Sequence, residues 1–330
     1  RGIFGMKKIL SIFSVSFALV FSSSAFANTI GVVYDSGGKF DKSFNELAFN
    51  TAERVVNELG WGMIEFESAN DNQIEQGMRK IADRGATMIV GMGFAQADAV
   101  AAVSADYPDI KFVAVDVCWL DDPNNNIYQA CYKEHEGSFL VGMMAAMASK
   151  SGTIGFVGGM DIPLIRKFQG GYEQGAQYVN PDIEVIANMT GTTNEAWNNP
   201  TKGAELTKAQ IDGGADVVYQ AAGGTGIGVL QAAADAGIMA IGVDSNQNWM
   251  HPGTMLTSML KRLDLTIFEQ AQNVGKGSFE SGINILGLSE GMLGYATEDG
   301  MVTADMAAAA DAAAADIASG ALVVADWSQE

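Results

Sequence analysis

Thr29-Ile30-Gly31-Val32-Val33-Tyr34-Asp35-Ser36-Gly37-Gly38-Lys39-Phe40-Asp41-Lys42-Ser43-Phe44-Asn45 is the stretch on which the fold turns. An apolar strand (29–34) runs into paired glycines and then into the polar start of a helix predicted to reach about Leu59. Gly37-Gly38 lets the backbone turn sharply, and Asp41 or Ser43 can cap the helix. Open α/β sheets present groups to a ligand in this way, beyond the carboxyl ends of their strands. The same local pattern also fits an ordinary βα loop with Phe44 packed into the core.

The alternation continues along the chain. Apolar runs predict strands at 30–34, 62–66, 88–90, 111–117, 153–157, 183–187, 216–220 and 239–243, separated by helical stretches. The strands are apolar on both faces, as parallel strands covered by helices are, which implies right-handed βαβ units. Thr153-Ile154-Gly155-Phe156-Val157-Gly158-Gly159 repeats the opening pattern of strand and paired glycines, so a second lobe begins there. The expected fold is α/β, with two doubly wound lobes joined by hinge crossings. The expected boundaries are 28–132 plus 248–280 for the N-terminal lobe, and 133–247 plus 281–330 for the C-terminal lobe. About 300 residues after the leader are more than one core usually holds. Several crossings make a hinge, and a hinge between lobes makes a closing cleft.

Met6-Lys7-Lys8, the apolar run 9–21 and Ala25-Phe26-Ala27 read as a secretory signal, with residues 1–27 removed. That predicts a periplasmic protein, and no cysteine near the cleavage point offers a lipid anchor. Without Arg1, Lys7 and Lys8, the 19 basic residues fall to 16 against 39 acidic ones, a formal charge of −23. Such a balance disfavours nucleic acid and anionic membrane surfaces as partners. Cys118 and Cys131 flank a short loop between two predicted strands, and export permits a disulfide between them.

Enzyme motifs are missing. His135 and His251 sit in no nucleophile elbow or metal-ligand spacing, and His135 reads as a solvated polar residue. The run from Ala222 to Gly228, with Gly224 inside it, lacks the Lys-Ser/Thr ending of a P-loop and suits close backbone approach instead. No metal or cofactor is expected. Asp35, Asp116 and Asp244 each follow an apolar strand, and three such carboxylates from both lobes would converge on one cleft. They could bind a hard cation or accept hydrogen bonds from hydroxyl and amino groups, with Lys261 offsetting one charge. Trp197, in a polar loop, is either a lid on the core or a stacking plate. Phe168 falls on a helix and is expected in the core.

Five ordered segments carry a family resemblance: 35–45, Glu136-Gly137-Ser138-Phe139-Leu140-Val141-Gly142, 221–228, Gly242-Val243-Asp244-Ser245-Asn246-Gln247 and Thr257-Ser258-Met259-Leu260-Lys261. With them the chain resembles the basic-membrane-protein, or purine nucleoside receptor, group of ABC-transporter solute-binding proteins over nearly all of 28–330. The resemblance implies a type I periplasmic-binding-protein fold and a purine nucleoside such as adenosine, guanosine or inosine as cargo. By matched position it implies that Phe44 and Trp197 sandwich the base, where the family commonly has phenylalanine in place of Trp197. Asn45 and Asp116 would bind polar edges, Asp244 and Lys261 the ribose, Asp35 would line the cleft, and Ser36 would tune selectivity. The implied partner is an inner-membrane ABC permease, with the binding protein a monomer. Riboflavin or a free purine base would suit the same aromatic plates. A periplasmic sensor partner or a calcium-dependent nucleoside hydrolase are the readings from other classes.

Overall fold

The computed structural model describes residues 28–68 and 70–329, so the assigned leader lies outside the described residues. The first unit alternates β1 (Thr29–Tyr34), α1 (Phe44–Leu59), β2 (Gly62–Glu67), α2 (Ile74–Asp83), β3 (Met88–Met92), α3 (Ala97–Asp106), β4 (Lys111–Val115) and β5 (Ile127–Tyr132). The second runs through α4 (Glu134–Ala148), β6 (Thr153–Met160), α5 (Pro163–Val179), β7 (Glu184–Gly191), α6 (Pro200–Asp212), β8 (Val217–Ala221), α7 (Gly226–Ala236) and β9 (Met239–Asp244). The tail holds β10 (Met255–Lys261), α8 (Leu263–Lys276), β11 (Gly282–Leu286), β12 (Leu293–Tyr295) and α9 (Ala304–Ser319).

Two six-stranded sheets result, ordered β11-β5-β4-β3-β1-β2 and β12-β10-β9-β8-β6-β7. Every pairing is parallel except β10 with β12. Successive β1 residues show why the strands are apolar throughout. Val32 belongs to the core facing α1, whereas Val33 belongs to the core under α2 and α3. Each is fully buried, and burying a valine stabilises a fold by on the order of 1.5–3 kcal/mol. A charge at either position would open one layer.

The tail departs from the expected boundaries. β10 pairs with β9 through Ser258 opposite Gly242, so 255–261 belongs to the second sheet rather than the first. β11 pairs with β5, so 282–286 belongs to the first sheet rather than the second. α8 sits as expected against α1 of the first lobe, and β12 and α9 sit as expected with the second. A strand's own residues specify that it is a strand; which free sheet edge it joins is decided by tertiary packing. The chain therefore crosses between lobes three times, after β5, after β10 and after β11. Both sheets aim their strand ends at one shared cleft.

Candidate ligand-binding cleft

The three strand-end aspartates meet there. Asp35, Asp116 and Asp244 line one cavity together with Phe44, Trp197 and Lys261. Its empty space is about 520 Å³, open mouth included. Asp116, just past β4, and Asp244, the last residue of β9, share a left-handed backbone, with φ of 63° and 64°. Aspartate tolerates that region better than most side chains, so the same turn recurs in both lobes.

The loop before α1 is built from its own side chains. Asp41 accepts from the backbone N–H groups of Ser43 at 2.9 Å, Asn45 at 3.0 Å and Glu46 at 3.1 Å. Asp41, not Ser43, thus caps the helix. Ser43 is freed to reach across the cleft, where its hydroxyl donates to Asp244 Oδ2 at 2.7 Å. Asn45 donates to Asp35 Oδ1 at 2.5 Å and to the Gly38 carbonyl at 3.1 Å, and accepts from the Asp35 N–H at 3.2 Å. Its amide is spent within the loop, and Asn45 lies behind Asp35 rather than on the cavity wall.

Lys261 is the cationic centre of the site. Its Nζ lies 2.6 Å from Asp116 Oδ1 and 2.9 Å from Glu134 Oε1, and the Lys261 side chain is 1% exposed. It stands 5.5 Å from the centre of the Phe44 ring, 4.9 Å from Tyr132 and 5.7 Å from Phe168. Burial opposes its charge, but Asp116, Glu134 and Asp244 together hold its affinity for the proton above that of a free lysine. Burial raises the carboxyls of Asp35 and Asp244, and pushes Asp41 up to about 8. Burial also raises Asp116, to about 6, against the pull of Lys261. Burial works against Glu134 as well, yet Lys261 and Lys167 outweigh it and keep that carboxyl below its usual range.

Trp197 ends a 3-10 turn, Asn194–Trp197. The hydroxyls of Thr190 and Thr225 donate to the Ala196 carbonyl at 2.9 and 2.7 Å and hold the turn in place. A Cβ on Gly159 would overlap the six-membered ring of the indole, so glycine there makes room for it. Trp197 is buried against this backbone on one side and lines the cavity. Ser36 and Gly224 stand off the cavity wall and instead join the lobes. Ser36 donates to the Asn194 carbonyl at 3.4 Å, and a Cβ on Gly224 would sit 2.7 Å from the Gly37 carbonyl.

One expectation is extended and one is overturned. Phe168 is buried in the core as expected, and from the second turn of α5 it also lines the cavity. His135 is buried, because α4 packs so tightly on α5 that the His135 backbone meets Gly171. Three further residues belong to the site without having been marked for it in the sequence. Phe94, on a 3-10 turn after β3, lines the cavity with its ring 6.4 Å from that of Trp197. Asp41 lines the cavity as well as capping the helix, and Glu134 anchors Lys261. Only an aromatic two residues past a strand hinted at Phe94, and Glu134 gave no local sign. Behind Asp116, Cys118 and Cys131 are joined by a disulfide with Cα atoms 5.7 Å apart. Among the described residues no group of His, Cys, Asp and Glu is arranged to hold a metal ion.

This geometry has relatives. A family model described as ABC transporter substrate-binding protein PnrA-like matches residues 28–323. The chain is 32% identical over 267 residues to basic membrane protein A2 of Borrelia garinii subsp. bavariensis, covering 79% of this chain and 78% of that one. It is 30% identical over 273 residues to the ABC transporter nucleoside-binding protein BmpA of Lactococcus lactis subsp. cremoris, 76% of each chain. A crystal structure of an ABC transporter system solute-binding protein from Aeropyrum pernix K1 superposes with a TM-score of 0.81 at 26% identity, over 90% of this chain and 94% of that one. The operator-bound lac repressor dimer, at a TM-score of 0.58 and 14% identity over 85% of this chain and 83% of that one, shares the fold alone. A strand-end cleft lined from both lobes and a match over nearly the whole described chain lead to one conclusion. The chain belongs to the Bmp, PnrA-like, family of ABC transporter substrate-binding proteins, which capture a small molecule for a permease rather than transform it.

Proposed function

We propose that this chain binds a purine nucleoside between its lobes and delivers it to an inner-membrane permease, acting as a periplasmic monomer. The observation that carries the reading is the lining of a single cavity by Phe44 from the first lobe, Trp197 from the second and carboxylates at three strand ends. A purine has two broad faces and a polar rim. Phe44 and Trp197 take the faces, each plate worth on the order of 1–3 kcal/mol. Asp116 takes the polar rim, with Asp35 lining the cleft and Asn45 holding Asp35 in place. Ser43 occupies Asp244 Oδ2, and Asp244 Oδ1 accepts from the ribose hydroxyls beside Lys261.

A phosphate would have to sit among Asp35, Asp41, Asp116 and Asp244 with Lys261 already paired, so nucleosides bind and nucleotides do not. The Lactococcus relative is described as nucleoside-binding, which points the same way. A thermal-shift panel of adenosine, guanosine, inosine, adenine and riboflavin tests the reading on ligand-free protein. A purine nucleoside should raise the melting temperature most. A larger shift with riboflavin or adenine, or none with any nucleoside, would reject it.

A further inference from the structure

Lys261 serves two carboxylates that belong to different moving parts. Asp116 directly follows β4 of the first lobe, whereas Glu134 starts α4, which packs on α5, α9 and β10 of the second lobe. β10 carries Lys261, so Glu134 and Lys261 ride together while Asp116 approaches from across the cleft. Glu134 is fully buried, and its second oxygen lies 3.4 Å from Lys167 Nζ. Lys167 in turn donates to the Tyr132 carbonyl at 3.0 Å, at the first crossing between lobes. The second crossing begins at Arg262, the residue after Lys261. The ion pairs therefore run from the cavity to two of the three hinge strands.

We propose that Glu134 is a positioning residue that keeps Lys261 paired when the cleft opens, and so sets the balance between open and closed forms. On opening, Lys261 loses Asp116. Without Glu134 the ammonium would lose every close partner, and a charge stripped of its counter-ion at a half-buried site is costly. In the closed form Glu134 works in the opposite sense, because it stands as a second negative charge on the same ammonium and repels Asp116. Both effects favour opening. The unliganded protein is thereby kept accessible, and the Lys261–Asp116 clasp completes once a ligand joins the lobes.

The proposal does not depend on which solute binds, and its test needs none. Small-angle X-ray scattering of the unliganded full chain reads the open fraction directly. Glu134→Gln should shrink the radius of gyration below that of unliganded wild-type protein, and adding Asp116→Asn to that variant should restore the larger value. A merely structural role would lower the melting temperature without compaction and without that rescue, and would overturn the proposal. Should Glu134→Gln not fold, Asp116→Asn alone provides the reciprocal reading. It must enlarge the unliganded protein relative to wild type, and an unchanged radius overturns the claim equally.

Discussion

Single side chains carry the chemistry of this cleft. Trp197→Ala and Phe44→Ala should each weaken purine nucleoside binding at least tenfold by calorimetry, as expected for a stacking plate worth on the order of 1–3 kcal/mol. Unchanged affinity in either would remove the sandwich. Asp244→Ala should harm ribonucleosides more than free bases, because only the former lose a charge-assisted bond of roughly 1.5–3 kcal/mol. Equal losses would contradict the ribose assignment. Asp41 links the site to pH. Burial raises its carboxyl to about 8, above the unfolded value, so the folded state takes up a proton that the unfolded state releases. Its contribution to stability is therefore greatest below the unfolded value and is lost as pH climbs toward 8. The melting temperature should rise as pH falls from 9 to 6, and Asp41→Asn should flatten that slope. The aspartates at strand ends could be read from the sequence because each follows an unbroken apolar run. The roles of Glu134 and Phe94 could not, since a charged helix start and an aromatic past a strand become site residues only through what the other lobe brings near.

At the scale of elements, backbone proximity decides what the loops can do. The turn carrying Trp197 lies flat on Gly159, whose missing Cβ leaves room for the indole. Gly159→Ala should displace that ring and weaken nucleoside binding by about the tenfold of Trp197→Ala, while a near-native circular dichroism spectrum shows the sheet intact. Binding at wild-type strength would show that the indole's seat does not matter. The strands and helices themselves were legible from period and punctuation, including the restart at Thr153. Their partners were less so. β10 and β11 exchange lobes relative to the expected boundaries because pairing depends on free sheet edges, which no local pattern encodes. His135 went astray for a related reason, since burial on a helix depends on which neighbour covers it. The α4–α5 contact closes over His135.

At the scale of the whole molecule, contacts between lobes define closure. The Lys42 carbonyl, displaced by a left-handed backbone of φ 62°, accepts from Ser245 Oγ at 3.1 Å and Gln247 Nε2 at 3.0 Å. Ser43 adds its bond to Asp244, and Gly37 meets Gly224 with no space for a side chain. Gly224→Val should prop the lobes apart, lowering ligand affinity while leaving the melting temperature of unliganded protein close to wild type. An unaltered affinity would mean that full closure is not needed for capture. The account as a whole requires one purine nucleoside held between Phe44 and Trp197 in each molecule. Native mass spectrometry of ligand-free protein mixed with adenosine, guanosine and inosine tests this most directly. The predicted result is a single one-to-one nucleoside adduct that disappears in Trp197→Ala. Absence of any adduct, or one that persists undiminished in that variant, would contradict it.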